Sequence, residues 1–278
     1  MEALDDLFWA YQDLFYSLGV NAILALSMYA VVALGQLSLG QAAFMGIGAY
    51  IGAVATVKLG LPFVVALSAA MAAPAVVAAL IGVPTLRLTG VYLAIATIGL
   101  GEVLRILYLN SDYLGGALGF SGIPHKADGW IIYGLLALIL LAFLLITRSR
   151  VGRACEAIRE DEDAAKVMGI NVTGYKMTAL ILSAALAGLG GALNAHFSSF
   201  ISPGEFGFEN AVTILSYAVL GGVASPLGPV LGAFLLTALP ELLRSLHGLR
   251  GVVNGLIIVL VMIFLPKGLL GRRVRRTL

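Results

Sequence analysis

Charged residues are scarce in this chain of 278 residues. Asp, Glu, Lys and Arg make up 12% of it, against about 25% in an ordinary soluble domain, while 60% of the residues are hydrophobic. So little charge leaves too little polar surface to cover a globule in water, which excludes a soluble enzyme. The 34 glycines agree with this, because small residues allow transmembrane helices to approach closely. The composition predicts an all-α integral membrane protein.

Several kinds of site are missing from the sequence as well. The one cysteine, Cys155, excludes an intramolecular disulfide and a cysteine-based metal site. His125 and His247 have no metal-binding spacing, so no metal site is expected. The basic residues form no nucleic-acid-binding stripe. No lysine follows a glycine as the Walker A motif requires, so we expect this chain to bind no ATP and no other cofactor.

Long apolar runs predict a polytopic helical bundle of about nine transmembrane segments, within a range of eight to ten. The bundle forms a single transmembrane domain over residues 1–278. The stretch 221–229 (GGVASPLGP) predicts broken or short helices, because Pro226 and Pro229 each remove a backbone donor. The nine candidate segments are 15–34, 40–57, 61–83, 89–109, 130–147, 177–200, 211–224, 229–243 and 251–266.

The distribution of lysine and arginine predicts the orientation. Eleven of the 17 basic residues fall either between the fifth and sixth segments or after the ninth, so both regions are expected in the cytoplasm. The first 13 residues carry four acidic residues and no basic one, which indicates an external N-terminus. A signal peptide would begin with a basic stretch, so we expect the first segment to be retained.

The longest polar stretch is the predicted cytoplasmic loop 148–176. Its spacing predicts an amphipathic helix with one apolar face, interrupted midway by Asp161, and Gly169 suits the C-terminal cap. Such a helix fits a groove on a partner protein. A solvated connector lying on lipid headgroups is the alternative. The predicted apolar face consists of Ala154, Ala157, Ile158, Ala164, Ala165 and Met168.

The sequence DAAKVMG (163–169) resembles the EAA box of bacterial ABC importer permeases, with Asp163 in the place of the usual Glu. Three further stretches, GQLSLGQAAFMGIGAY (35–50), LRLTGVYLAIATIGLGEVLR (86–105) and VLGGVASPLGPVLGA (219–233), extend the similarity. Together with GRACEAIREDEDAAKVMGIN (152–171), they resemble the permease subunits of branched-chain amino-acid ABC importers. The similarity is greater to the LivM-type than to the LivH-type permease.

This resemblance implies a pore-forming subunit of the bacterial inner membrane. Its implied partners are membrane lipid, a second, LivH-type permease, two separate ATPase subunits that use the ATP, and an external substrate-binding protein. The implied cargo is a branched-chain or related amino acid, although related permeases carry urea or amides. The residues expected to couple the permease to the ATPases are Glu156, Ile158, Arg159, Glu160, Asp163, Ala164, Ala165 and Gly169.

Polar residues inside the predicted segments are candidates for the translocation path. Glu102 and Arg105 lie three residues apart on one helical face and are expected to pair, either lining the path or locking neighbouring helices. Gln36, Ser38 and Gln41 either line the path or satisfy backbone groups at a broken helix. Asn194, the remaining candidate, and His196 are better explained as hydrogen bonders between helices.

Three classes of function are compatible with these features. The first is the ABC importer permease. The second is an ion-coupled secondary transporter of a small polar solute, which the interrupted stretch 221–229 would suit. The third, an intramembrane enzyme, has least support, since the sequence has no G-x-S-x-G and no HExxH motif. The EAA-like loop favours the first class, because a secondary transporter needs no contact with an ATPase.

The external segment 115–124 is either a docking surface for a binding protein or a flexible loop.

Overall fold

The computed structural model describes residues 2–88, 90–242, 255 and 268–270, with residues 2–11 and 240–242 described as backbone alone. Its described part is largely helical, as the composition predicts. Two short strands, β1 (Phe120–Ser121) and β2 (Phe200–Ile201), pair antiparallel. The helices are α1 (Glu2–Val32), α2 (Gln41–Val57), α3 (Phe63–Thr85), α4 (Val91–Leu109), α5 (Gly129–Arg148), α6 (Arg150–Glu160), α7 (Glu162–Val167), α8 (Val172–Ser198), α9 (Phe208–Gly221) and α10 (Leu227–Leu242).

Five of these helices are long and apolar enough to cross a membrane, namely residues 12–32 of α1 together with α3, α4, α5 and α8. Two further apolar helices, α2 and residues 227–239 of α10, are shorter. Helices coincide with the first eight predicted segments, while the ninth, 251–266, lies outside the described residues except for residue 255. The mostly helical membrane fold is therefore confirmed.

The centre of the bundle is α8, which packs against α1, α2 and α3. Its sequence is rich in glycine and alanine, and these small residues bring the helices into backbone contact. A Cβ atom at Gly48 of α2 would overlap the backbone of Gly188 in α8, and one at Gly191 would overlap the carbonyl of Met45. The close approach of α2 and α8 therefore requires glycine at these positions.

The connections between helices gather at two opposite ends of the bundle. At one end, Lys58 Nζ donates to the carbonyl oxygen of Tyr113, and β1 pairs with β2. At the other end, Arg159 contacts the turn 222–226, and the amide of Leu269 donates to the carbonyl of Leu220 at 2.9 Å. The loop 148–176 and residues 268–270 thus lie at the same end, as the positive-charge distribution predicts for two regions on one side of a membrane.

The interrupted stretch 221–229 forms a helical hairpin. Helix α9 ends at Gly221, and Gly222 adopts a φ of +85°, which favours glycine. Helix α10 begins at Leu227 and packs back against α9. At about 1.5 Å per residue, the 14 residues of α9 span about 21 Å, short of a hydrocarbon core about 30 Å thick. The prediction of short helices around this break is confirmed.

Candidate functional site

The loop between α5 and α8 folds into two helices, where the sequence analysis predicts one. Ser149 caps the start of α6, since its Oγ accepts from the amide of Val151 at 3.1 Å. At Asp161 the backbone becomes extended, with φ −154° and ψ 109°, and α6 ends. Asp161 Oδ1 accepts from the amides of Asp163 and Ala164, each at 2.9 Å, and caps α7. Asp161 therefore divides the helix because its carboxylate is the N-cap of a second one.

The end of α7 is fixed by Gly169, as predicted. This residue adopts a φ of +82°, which only glycine reaches without strain. Its amide donates to Lys166 O and the amide of Ile170 to Ala165 O, each at 3.0 Å, which is the Schellman pattern. The chain then turns into α8, where Asn171 Oδ1 accepts from the amide of Gly174 at 3.0 Å. The orientation of α7 is thus set by caps at both ends.

The two helices bury one part of the predicted apolar face and expose the other. Ile158 and Ala165, each 3% exposed, pack with Leu34 of the connection between α1 and α2 and with Val172 and Ala179 of α8. Ala164 is exposed, and beside it Val167 and Met168 are 87% and 81% exposed. The predicted single face is therefore wrong. Ala164, Val167 and Met168 form an exposed apolar patch, whereas Ile158 and Ala165 face the protein's own interior.

Ion pairs attach α7 to α8. Glu162 pairs with Lys166 at 3.2 Å and with Lys176, whose side chain is only 15% exposed. The hydrogen bond from Lys176 is the main reason that the pKa of Glu162 lies below its usual value of 4.5. Asp163 also pairs with Lys166 but is 93% exposed. Glu162 is thus a structural link between two helices, while Asp163, Glu156 and Glu160 remain on the exposed side.

Arg159 connects α6 to the hairpin of α9 and α10. Its Nη1 donates to the carbonyl oxygen of Val223 at 3.2 Å, and its Nη2 lies 3.9 Å from a carboxylate oxygen of Glu160. Its side chain is 27% exposed and passes close to Gly35, in the connection between α1 and α2. Arg159 therefore bridges the loop and the transmembrane core.

The expected pair in α4 is formed. Arg105 Nε lies 2.8 Å from Glu102 Oε2, and their side chains are 34% and 36% exposed. Arg105 also lies near Gly207, which precedes α9. The pair stands at an edge of α4 beside exposed apolar residues such as Val103 and Ile106. Because hydrocarbon solvates charge poorly, this exposed pair favours a polar environment or another polypeptide along this edge of α4.

The connection between α1 and α2 is a buried polar cluster. Ser38 Oγ accepts from the amide of Gly40 at 3.3 Å, so Ser38 satisfies a backbone group, as one of the two interpretations predicts. Gln41 Nε2 donates to Ser183 Oγ at 3.1 Å. Within the described residues, the carbonyl oxygens of the Gln36 and Gln41 side chains have no hydrogen-bond partner. Both side chains are buried, so these oxygens are unsatisfied groups at the start of α2.

The sequence analysis does not identify two polar residues of this cluster. Thr97 Oγ1 accepts from the amide of Leu39 at 2.9 Å, and Ser183 receives the bond from Gln41. Both residues lie in long apolar helices, where single hydroxyl residues carry no local signal. Their role depends on the packing of α4 and α8 against the connection 33–40.

His196 connects α8 to α2, as predicted. Its Nε2 lies 3.0 Å from Thr56 Oγ1, and its Nδ1 lies 2.8 Å from the carbonyl oxygen of Ala192, so Nδ1 carries the proton. Asn194 is half-buried, and its backbone carbonyl accepts from Ser198 Oγ at 2.9 Å. Within the described residues, the side chain of Asn194 makes no hydrogen bond, and the interhelical bond predicted for it is not formed there.

Comparison with known proteins agrees with this architecture. Residues 11–266 match the family described as "Branched-chain amino acid transport system / permease component". The high-affinity branched-chain amino acid transport system permease protein LivM of Salmonella typhimurium is 37% identical over 288 residues, covering 91% of this chain and 66% of LivM. LivM of Escherichia coli K12 is 36% identical and also covers 91% of this chain and 66% of its own length.

The match to the LivH type of permease is shorter. LivH of Escherichia coli K12 is 35% identical over 146 residues, covering 51% of this chain and 46% of LivH. The chain thus spans slightly less than two thirds of the length of the LivM proteins that it matches. No solved structure matches it significantly. Because the family match covers nearly the whole sequence, the chain belongs to the family of branched-chain amino acid transport permease components.

Proposed function

We propose that this protein is the pore-forming permease subunit of an ABC importer, of the LivM type, in the inner membrane of a bacterium. It pairs with a second, LivH-type permease and with two ATPase subunits. An external binding protein delivers the cargo, a branched-chain or related amino acid. The chain itself binds no ATP, so hydrolysis on the partner subunits drives transport. The support is the family and the similarity to LivM and LivH.

The proposed topology has nine transmembrane segments, with the N-terminus outside and the C-terminus in the cytoplasm. The clustering of loop 148–176 with the turn 222–226 and residues 268–270 supports it, since all three would be cytoplasmic. The connections 58–62, 110–128 and 199–207 meet at the other end and would be external. A hairpin of two short helices, α9 and α10, keeps the basic C-terminal tail on the cytoplasmic side.

The observation that carries the proposal is the exposed apolar patch of Ala164, Val167 and Met168. Large apolar side chains exposed in a cytoplasmic loop favour contact with another protein. The patch lies within the EAA-like sequence and rests on a rigid base, because Ile158 and Ala165 are packed beneath it and Gly169 fixes its end. Glu160 and Asp163 supply a charged rim. We propose that the ATPase receives this patch and moves the core through Arg159 and Lys176.

The proposed path runs along the polar groups of the membrane segments. The partly exposed Glu102–Arg105 pair suits an edge of α4 that faces the second permease and a water-filled passage. Gln36, Ser38 and Gln41 lie at the proposed cytoplasmic end, and the unsatisfied oxygens of Gln36 and Gln41 are acceptors for a passing ammonium group. Asn194, half-buried near the external end of α8, completes the candidate set.

The test is co-purification of the ATPase subunits with patch variants. Val167→Asp and Met168→Asp each bring a charge into the proposed contact, so retention of the ATPases is expected to fall roughly tenfold or more. Leu118→Asp is the matched control, because Leu118 is 90% exposed at the opposite end of the bundle. Full retention of the ATPases by both patch variants would contradict the proposal and favour the ion-coupled secondary transporter.

A further inference from the structure

A cavity of about 340 Å³ lies beneath α6, where this helix crosses the ends of α1, α5 and α8. This volume is within the range of about 300–1,000 Å³ that small-molecule sites occupy. The turn 222–226 closes one side of it with Val223 and Ala224. We call it the α6 cavity. Much of its wall is apolar and comes from Ala30, Ala33, Leu34, Phe143, Ile146 and Leu182.

One stripe of α6 supplies charges of both signs to this cavity. Gly152, Cys155, Glu156 and Arg159 follow the helical spacing and line the same wall. The Arg159 guanidinium carries five N–H donors. One is engaged by Val223 O at 3.2 Å, and Nη2 lies 3.9 Å from a carboxylate oxygen of Glu160, which is beyond hydrogen-bond distance. Within the described part of the chain, the Glu156 carboxylate forms neither an ion pair nor a hydrogen bond. A cation with spare donors and an unpaired carboxylate therefore lie one turn apart.

The facing wall presents a hydroxyl with spare hydrogen-bonding capacity. Tyr29 of α1 lines the cavity and is only 5% exposed, and among the described residues its hydroxyl has no hydrogen-bond partner. Because Tyr29 lines the cavity, this hydroxyl is available to a polar atom of a ligand. Tyr175 and Thr178 of α8 add two further hydroxyls to the lining.

We propose that the α6 cavity binds a small zwitterion with an apolar side chain, that is, an aliphatic α-amino acid. Its carboxylate pairs with Arg159 and its ammonium group with Glu156, while Tyr29 satisfies a remaining polar atom. The aliphatic side chain occupies the wall of alanine, leucine and phenylalanine residues. A diacyl phospholipid is far too large for the cavity, and Glu156 opposes an anionic headgroup.

This site is separate from the path proposed above, and its consequence is regulatory. An amino acid bound in the α6 cavity would contact α6, α1, α5, α8 and the turn 222–226. It would thereby hold α6, whose Ile158 packs beneath the apolar patch, in one position. That the bound amino acid is also the transported one rests on the proposed function. Amino acid accumulating in the cytoplasm would then restrain the motion that α6 transmits, and import would slow as the product builds up.

Cys155 provides the measurement, because it is the single cysteine of the chain and lines the cavity. Burial raises the pKa of its thiol, so labelling with N-ethylmaleimide is best done at mildly alkaline pH. The permease, with whichever subunits it retains on purification, is placed in lipid nanodiscs and labelled with and without leucine. The modification of the Cys155 peptide is followed by mass spectrometry. Leucine at ten times its dissociation constant is expected to slow labelling about tenfold.

Probes that lack one charge sharpen the test. 4-Methylpentanoate has no ammonium group and 3-methylbutylamine has no carboxylate, so each is expected to protect Cys155 at least about tenfold less well than leucine, through loss of one charge-assisted contact. Glu156→Gln and Tyr29→Phe should each raise the leucine concentration needed for protection. Asp163→Asn is the matched control, since Asp163 is 93% exposed and does not line the cavity.

The proposal is overturned if leucine gives no protection, if the single-charge probes protect equally well, or if the cavity retains a lipid in native mass spectrometry. Protection of Cys155 requires neither ATP nor transport. Its absence would therefore leave the proposed importer function intact, and loss of ATPase binding in the patch variants would leave the protection of Cys155 unchanged.

Discussion

Neighbouring acidic residues in α7 have different roles. Glu162 forms ion pairs with Lys166 and with the largely buried Lys176, whereas the ion pair of Asp163 with Lys166 is exposed to solvent. Glu162→Gln leaves Lys176 without a charged partner, and we expect local stability to fall by roughly 1 kcal/mol. Hydrogen exchange of residues 162–170 should become about fivefold faster. Asp163→Asn is the control and should change it little. Equal exchange in both variants would contradict the linking role of Glu162.

The same link predicts a pH dependence. The pKa of Glu162 is held below its usual 4.5 in the folded protein, so its contribution to stability is complete at neutral pH. As the pH falls below 4.5, the unfolded segment takes up a proton first, and the stabilisation declines until the folded carboxylate is protonated too. The difference in exchange protection between the wild type and Glu162→Gln should therefore shrink in acid. A difference that grows on acidification would have the wrong sign.

The Glu102–Arg105 pair permits a test of structural against path-lining roles. If the pair stabilises the bundle, Glu102→Gln leaves Arg105 uncompensated in the membrane, lowers the yield of folded protein, and is partly rescued by adding Arg105→Gln. If it lines the path, both single variants fold normally and transport poorly. Size-exclusion profiles and uptake assays distinguish these results. Normal folding with normal transport in both single variants would exclude either role.

At the scale of helices, the contact between α2 and α8 depends on glycine. A methyl group on Gly48 would overlap the backbone of Gly188, so Gly48→Ala forces the two helices apart. Overpacking of this kind costs about 1–3 kcal/mol, and we expect a lower melting temperature of the detergent-solubilised protein. Gly134→Ala in α5 is the control, because a methyl group there would have no neighbouring atom within 4 Å. An unchanged melting temperature for Gly48→Ala would contradict this packing.

The helices differ in how far the sequence predicts them. Long apolar runs predict α1, α3, α4, α5 and α8, and the glycines and prolines of 221–229 predict the hairpin, because these signals are local. The division of the loop into α6 and α7 is harder to predict from the sequence. Asp161 is recognisable as an interruption of the apolar face, but its role as an N-cap depends on the backbone conformation.

Local sequence patterns do not predict which of the proposed coupling residues are buried. Ile158 and Ala165 have the same apolar character as Val167 and Met168, and helical periodicity does not separate them. They are buried because Leu34 of the α1–α2 connection and Val172 and Ala179 of α8 cover them. Hydroxyl groups such as those of Thr97 and Ser183 escape prediction for a similar reason, since their partners lie in distant parts of the sequence.

This burial changes what substitution of Ala165 should do. Ala165→Trp adds bulk beneath the apolar patch, where the side chain is 3% exposed, so it should disturb the packing of α7 on α8. Loss of the ATPases is expected as a secondary effect, together with faster hydrogen exchange in 162–179. Ala164→Trp, at the exposed neighbouring position, should weaken ATPase retention with unchanged exchange. If Ala165→Trp kept both its exchange pattern and its ATPases, the assignment of the buried side would be wrong.

At the scale of the whole molecule, orientation is tested by the thiol of Cys155. The loop 148–176 is proposed to lie in the cytoplasm, so a membrane-impermeant thiol reagent should leave Cys155 unmodified in intact cells. After the membrane is opened, Cys155 should react slowly, because burial raises its pKa. Ser111→Cys, in the connection at the opposite end of the bundle, should react without permeabilisation. Labelling of Cys155 in intact cells would reverse the proposed topology.

The central claim is that ATP hydrolysed on other subunits drives import through this chain. The most direct measurement is uptake of radiolabelled leucine into proteoliposomes that contain this permease, its paired permease, the two ATPases and the external binding protein. Uptake is predicted to require ATP on the ATPase side, to require the binding protein on the other side, and to disappear with Met168→Asp. Uptake driven by a proton or sodium gradient without ATP, at the same rate in Met168→Asp, would contradict the account.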